Sequence, residues 1–424
     1  RNWQTRTVQV RVSERTWGFK SPLAHAWSRR KQPSRSCDRS EGGFGVGMDF
    51  ALGLLLGGVA GVVLERIVGI PFDRRIVEPL RHRRRVRALR RAEQDIAVVG
   101  EVVVLGSSAL FVRQFVPIGL DPGALTASLD ASVTSSVEER VRASPVARSV
   151  LAELTPDGLD ADIEEWRRRL DADPRRWNGD QLALTELDIG RTAASERATV
   201  RLRFRPSDYA TFCAIGDNWT ALPPDIRRSI DGDALREVDP LLSTSFGLNC
   251  TLETADGRLL ITRRSSLARG WERRWHTSWN EGLSAIDGRP GGKVDIIGAF
   301  GRGLHEELGL DPDGIDGFAG RLRIHTVLLD VDHYQWGLLA HLDLRGTDIT
   351  ANAIRMARNL GSAHDDWEAS EIRFLPMERA VDEVLTELGR ADQWVPHGLL
   401  NVVLSMAHRR PERLADLGAA LIKS

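Results

Sequence analysis

Between Ile296 and Leu310 the chain reads IIGAFGRGLHEELGL, and this stretch narrows the folding choices more than any other. Phe300, Leu304 and Leu308 recur every four residues, which puts them on one face of an α-helix, and Gly309 stands where such a helix stops in the left-handed conformation. A helix with one apolar stripe must bury it against another layer. Glu306 and Glu307 then fall in the last turn. There the helix carries partial negative charge, so acidic side chains cost roughly a few tenths of a kcal/mol, and a bound cation would reverse the sign. Carboxylate oxygens suit Mg2+ or Mn2+. The spacing also allows a simpler account, an ion pair between Arg302 and Glu306 on a solvated face.

The surrounding sequence predicts a sheet for this helix to pack on. In LNCTLETADGRLLITRR, from Leu248, apolar positions alternate on both sides of Asp256-Gly257, which predicts a hairpin with a two-residue turn whose central residues both have positive φ. Leu322 to Leu329, Trp336 to Leu344 and Glu371 to Pro376 predict further strands, and Met377 to Leu388 and His397 to His408 predict helices. The fold class expected for the C-terminal part is therefore α+β.

The run Arg302-Gly303-Leu304-His305-Glu306-Glu307-Leu308-Gly309-Leu310 resembles the end of the Nudix box, Arg-Glu-apolar-any-Glu-Glu-any-Gly-apolar. Gly288, fourteen residues before the arginine, matches an earlier glycine of the box. The likeness covers roughly residues 246–408. It implies an α/β/α sandwich with a mixed sheet. It also implies hydrolysis of a nucleoside diphosphate linked to another group, with Mg2+ or Mn2+ as cofactor and a metal-bound water as nucleophile. Arg302, Glu306 and Glu307 carry over as catalytic residues, with Glu306 and Glu307 as metal ligands and Arg302 orienting a glutamate. Three departures bear on this. Gly303 stands where the box has glutamate, and Val294 stands where it has an earlier one, with Asp295 one place out of register. The usual Pro-Gly-Gly stretch is replaced by Trp275 to Asp287, WHTSWNEGLSAID. A further carboxylate must then complete the metal shell. Glu371 is taken for that role, with Glu368, Glu281 and Asp295 as alternatives. Trp271, Trp275 and Trp279, four residues apart, offer either a stacking surface for a base or core. His305 reads as a base or as an exposed helix position, and His364, Asp365 and Asp366 as a polar cluster or a solvated loop.

Ahead of this part, Phe50 to Leu64 is free of charge, Glu65 and Arg66 interrupt it, and apolar residues resume to Phe72. A crossing helix needs about 20 apolar residues, so residues 48–72 are expected to form a transmembrane anchor only if Glu65 and Arg66 lie near the interface or Arg66 snorkels to it, the alternatives being a buried helix or an uncleaved signal-like anchor. Nine arginines between Arg74 and Arg91 make a basic juxtamembrane segment, 73–92, that holds the following chain on the cytoplasmic side of the cell membrane. Gly53, Gly57 and Gly61 share one helix face and offer a route to a homodimer. Residues 1–47 read as a disordered arm or as translation upstream of Met48. Residues 93–240 alternate strand-like and helix-like segments, an α+β region without a chemical motif. Helices are expected at Val137 to Leu154 and Asp160 to Leu170, and strands at Ile96 to Leu105 and Ala198 to Phe204.

A net charge of -1 gives no reason to expect nucleic acid as a partner, and three scattered cysteines exclude a disulfide framework. Two functions remain in view. One is a membrane-anchored, metal-dependent Nudix-type hydrolase. The other is an inactive module of the same fold that senses a nucleotide or a protein.

Overall fold

The computed structural model describes residues 97–411, apart from 106–107, 117–118, 132–135, 151–154, 173–177, 192–197, 229–236, 267, 269, 361–362, 364–367, 380 and 390. The expected arm, anchor and basic segment lie outside these residues, and among the described residues no helix is long and apolar enough to cross a membrane.

The described chain is α+β, with two mixed sheets. Its strands are β1 (Ala97–Leu105), β2 (Ser108–Val116), β3 (Leu125–Leu129), β4 (Asp180–Arg191), β5 (Ala198–Asp208), β6 (Phe246–Glu253), β7 (Arg258–Arg264), β8 (Trp275–His276), β9 (Trp279–Gly282), β10 (Gly288–Arg289), β11 (Lys293–Val294), β12 (Leu322–Asp330), β13 (Gln335–Asp343) and β14 (Ala369–Pro376). Its helices are α1 (Val137–Ala143), α2 (Pro145–Val150), α3 (Pro156–Ala172), α4 (Tyr209–Ala221), α5 (Pro224–Arg228), α6 (Ile296–Leu308), α7 (Phe318–Arg321), α8 (Ala351–Asn359), α9 (Val381–Leu388) and α10 (Pro396–Arg409).

The larger sheet runs β1-β2-β12-β13-β6-β7-β14, with β8 on β7 and β9 on β6; only the β13–β6 pair is parallel. The smaller runs β10-β11-β3-β5-β4, with β3 and β5 parallel. Both sheets draw strands from either side of residue 246. The early strands β1 and β2 extend the larger sheet, and the hairpin β10–β11 just ahead of α6 pairs with the early strand β3.

Alternation along β6 fixes which helix lies on which face. Leu248, Cys250 and Leu252 join the core cluster that holds Phe300 and Leu304 of α6. On the other face Asn401 of α10 donates to the carbonyls of Asn249 and Ala340 at 3.1 and 3.0 Å, and Thr251 Oγ1 lies 2.6 Å from Ser405 Oγ. Successive strand residues point to opposite faces, so helices cover both.

Several local expectations need revising. The link between β6 and β7 is four residues long, Thr254 to Gly257, and of the expected pair Asp256-Gly257 only Gly257 has positive φ, at 69°. Asp256 instead accepts hydrogen bonds from Thr254 Oγ1 and the N–H of Ala351, which hold the turn to α8. The helix expected over Val137 to Leu154 breaks at Ser144, before Pro145, whose ring cannot continue a helix without losing a hydrogen bond.

α6 matches its sequence pattern. Asp295 caps its start by accepting from the N–H of Gly298 at 2.8 Å, Phe300, Leu304 and Leu308 are fully buried, and Gly309 ends it with φ of 68°. Truncating Phe300→Ala leaves a cavity in this core and is expected to lower unfolding free energy by about 3–5 kcal/mol. Glu306→Gln, at a half-buried position off that stripe, should change it by less than about 1 kcal/mol. Urea unfolding of the two variants tests the assignment; equal effects would mean α6 does not carry the core.

Candidate functional site

Where α6 crosses β9, the helix backbone lies against the side chains of the strand with no room for a side chain of its own. A Cβ on Gly303 would stand 2.8 Å from Trp279 Cδ1 and 2.9 Å from Glu281 Cβ. Trp279 is fully buried and cannot swing away. The carboxylate that the helix lacks at 303 is therefore excluded by packing, and a strand residue, Glu281, fills the same space.

Glu281 does not lie idle there. Its Oε1 sits 2.8 Å from Arg302 Nη1, and Arg302 Nη2 reaches Asp287 Oδ2 at 2.9 Å and the carbonyl of Gly282 at 3.1 Å. Glu306 is farther from the same guanidinium, at 3.6 Å. Arg302 is thus turned inward, toward the β9 segment, instead of pairing chiefly with Glu306 on a solvated face. Asp287 itself is buried and braced by the N–H of Ser284 at 2.9 Å.

Glu307 points the other way and is buried. Its Oε1 accepts from the backbone N–H of Asn280 at 2.9 Å. Burial raises its pKa well above the usual carboxylate range, the charges of Glu368 and Glu281 add to this, and the Asn280 bond and Arg264 oppose it. Burial likewise pushes Glu281 up to about 7, against the charge of Arg302 and with that of Glu306. The structure therefore groups Glu281, Glu306, Glu307 and Glu368 around the C-terminal half of α6.

The other sequence candidates are placed elsewhere. Glu371 pairs with Arg263 across β14 and β7, and its carboxylate lies 2.7 Å from Arg373 Nε. Arg263 and Arg373 both lie over Trp275. Arg264, the next residue along β7, instead turns to Asn280. Strand alternation therefore puts Glu371 on the opposite face from Glu307. Asp295 caps the start of α6, roughly 18 Å along the helix from Glu307. His305 is exposed, and His364, Asp365 and Asp366 lie outside the described residues. Val294, where the box has a glutamate, is buried in the core.

None of the three spaced tryptophans offers a free ring. Trp271 carries the Arg274 guanidinium 4.5 Å above it and His333 at 4.7 Å, Trp275 lies under Arg263 and Arg373, and Trp279 is core. Trp271 and Arg273 also take positive φ, 54° and 58°, a strained setting for non-glycine residues. Sequence reasoning missed Asn280 and Asp287. Ser284 and Asp287, three apart, carry a weak capping signal; Asn280 has none.

Among the described residues no three His, Cys, Asp or Glu side chains are gathered closely enough to hold a metal ion. Arg302 and Asn280 hold the carboxylates instead.

Two outcomes are expected. Gly303→Ala must displace Trp279 or Glu281, and its thermal unfolding should show a loss of about 1–3 kcal/mol; unchanged stability would mean that α6 and β9 are less tightly packed. The second concerns pH. A folded pKa near 7 against the ordinary 4.5 means that Glu281 binds its proton more tightly in the fold, so its contribution falls as pH rises between these values. Relative to wild type, Glu281→Gln should therefore gain about 2 kcal/mol between pH 5 and 8 in urea unfolding. A difference independent of pH would show Glu281 titrating as an ordinary exposed carboxyl.

No protein-family profile matches the chain, and no curated protein matches it. Among solved structures, it is similar to the crystal structure of DR0079 from Deinococcus radiodurans, at 16% identity and a TM-score of 0.23, over 34% of this chain and 75% of that one. A likeness at that score carries no weight for fold or function.

Proposed function

We propose that the chain is a Nudix-type hydrolase that uses Mg2+ or Mn2+ to cleave a nucleoside diphosphate linked to another group, on an α/β/α sandwich built around α6. The observation that supports this reading best is the contact at Gly303. The helix position that lacks its glutamate is filled by Glu281 from β9, beside the same arginine and within electrostatic reach of Glu306 and Glu307.

Glu281, Glu306 and Glu307 offer only oxygen, the donor type a hard divalent cation takes, but as they stand they are not gathered closely enough to hold one, and the reading requires them to close around the ion. Glu306 and Glu307 would hold the metal, with Glu281 in the role first given to Glu371. Bound there, the metal would neutralise phosphate charge and lower the pKa of a water. The chain's own residues do the positioning. Arg302 orients Glu281 and takes up charge from Asp287, while the N–H of Asn280 fixes Glu307. On sequence grounds alone, the reading keeps residues 48–72 as a membrane anchor with the catalytic part in the cytoplasm, and the glycine-spaced face as a route to a homodimer.

The alternative is a module that binds a nucleotide or a protein without turnover. The spread of the carboxylates favours it, because Arg302 already compensates Glu281 and Asp287.

The full chain, assayed with Mg2+ or Mn2+ against a panel of nucleoside diphosphate compounds, is expected to release product, and Glu307→Gln should reduce the rate by at least about 100-fold. Tight binding without product would favour the sensor.

A further inference from the structure

We propose that Arg140 of α1 and Arg205 of β5 form a buried receptor for a phosphate group, separate from the carboxylates around α6 and independent of the hydrolase reading. Arg201, Arg203 and Arg205 alternate along β5, so their side chains leave the strand on one face. The register with β4 sets Asp188 opposite Arg201 and Glu186 opposite Arg203, and each carboxylate pairs with its arginine, the second at 2.9 Å. Opposite Arg205 stands Ala183. Arg205 is only 6% exposed, and its guanidinium donates to three carbonyls, of Pro206 at 3.2 Å, Pro240 at 3.4 Å and Ser243 at 2.8 Å. Its charge is held in place by neutral acceptors.

Arg140 brings a second charge to the same region. It is 7% exposed, and its Nε and Nη1 are buried without an acceptor. The two guanidiniums feel each other: burial and then the charge of Arg140 lower the pKa of Arg205 to about 10. Asp160 and Asp208 act on Arg140 through their charge. Among the described residues neither forms an ion pair with it, since Asp160 is exposed and Asp208 is held by Arg167 at 2.8 Å and by the N–H of Thr211 at 2.7 Å. Asp239, beside Pro240, has both oxygens engaged by Ser144, Val146, Leu241 and Leu242. Two buried cations with an unused set of donors are costly to the fold, and a doubly charged oxyanion offsets both; the planar guanidinium fork matches phosphate oxygens in bidentate fashion. Because Arg205 grips the link that leads into β6, a phosphate there would tie α1 to the larger sheet.

The test is thermal unfolding of the full chain in EDTA, at an ionic strength held constant with sodium chloride, with sodium phosphate added in one series and adenosine monophosphate in the other. The melting temperature is expected to rise saturably with the added phosphate group. Arg140→Met should weaken this binding by about 10-fold or more, and Arg140→Lys, which keeps the charge and loses the fork, should weaken it less. In chloride alone Arg140→Met should melt no lower than wild type, because it removes a buried charge that lacks an acceptor; a merely structural arginine would not behave so. Adenosine monophosphate that binds at least as tightly as phosphate would assign the group to a nucleotide, and weaker binding would assign it to the inorganic ion; both uphold the receptor. No saturable rise with either compound, Arg140→Met that binds within about 3-fold of wild type, or Arg140→Met that melts below wild type in chloride would each overturn it.

Discussion

At Gly303 the backbone of α6 rests on Trp279 and Glu281 with no side chain between them. Close packing of this kind constrains both partners, since a buried indole cannot be shifted without opening a void. The helix is pinned at that height by its own stripe of Phe300, Leu304 and Leu308, all fully buried. Glu281 is then forced under the helix, where water is scarce and its charge needs company. Arg302 supplies it, and Asp287 and Glu306 are drawn to the same guanidinium. One steric contact thus determines where four charged groups stand.

The electrostatics of the region follow from unequal sharing. Arg302 is a single positive charge placed among three carboxylates, and Glu307 lies beyond its hydrogen bonds, accepting from a backbone N–H with the charge of Arg264 nearby. Burial beside like charges is costly for a carboxylate, and the group responds by holding its proton. Such a site is poised to gain positive charge, from protons or from a divalent ion.

Much of this was legible before the structure. The four-residue spacing gave α6 its buried stripe and Gly309 its end, and apolar alternation located β6, β7, β12, β13 and β14, because both signals are local. The turn at Asp256-Gly257 was misread for the opposite reason: Asp256 bonds to α8, nearly a hundred residues away, and no local pattern reports that. For the site, Arg302, Glu306 and Glu307 were visible because they share one helix. The grouping of Glu281 and Glu368 with them, and the turning away of Glu371, depend on which face of a strand meets the helix, a matter of register and bulges. Asn280 was invisible, since its role lies in a backbone N–H and an amide oxygen.

The exchange of strands between the two sheets sets a condition on how this protein comes into being. β2 pairs with β12, and β3 with β11, so early strands wait for partners that emerge much later from the ribosome. Until then their edges are open to any other strand, and the chain needs shielding while it is made. Pairings so distant also slow the search for the native arrangement. The hairpin that leads into α6 is braced by β3 only after both have been synthesised, so the acidic site is among the last parts of the molecule to take shape.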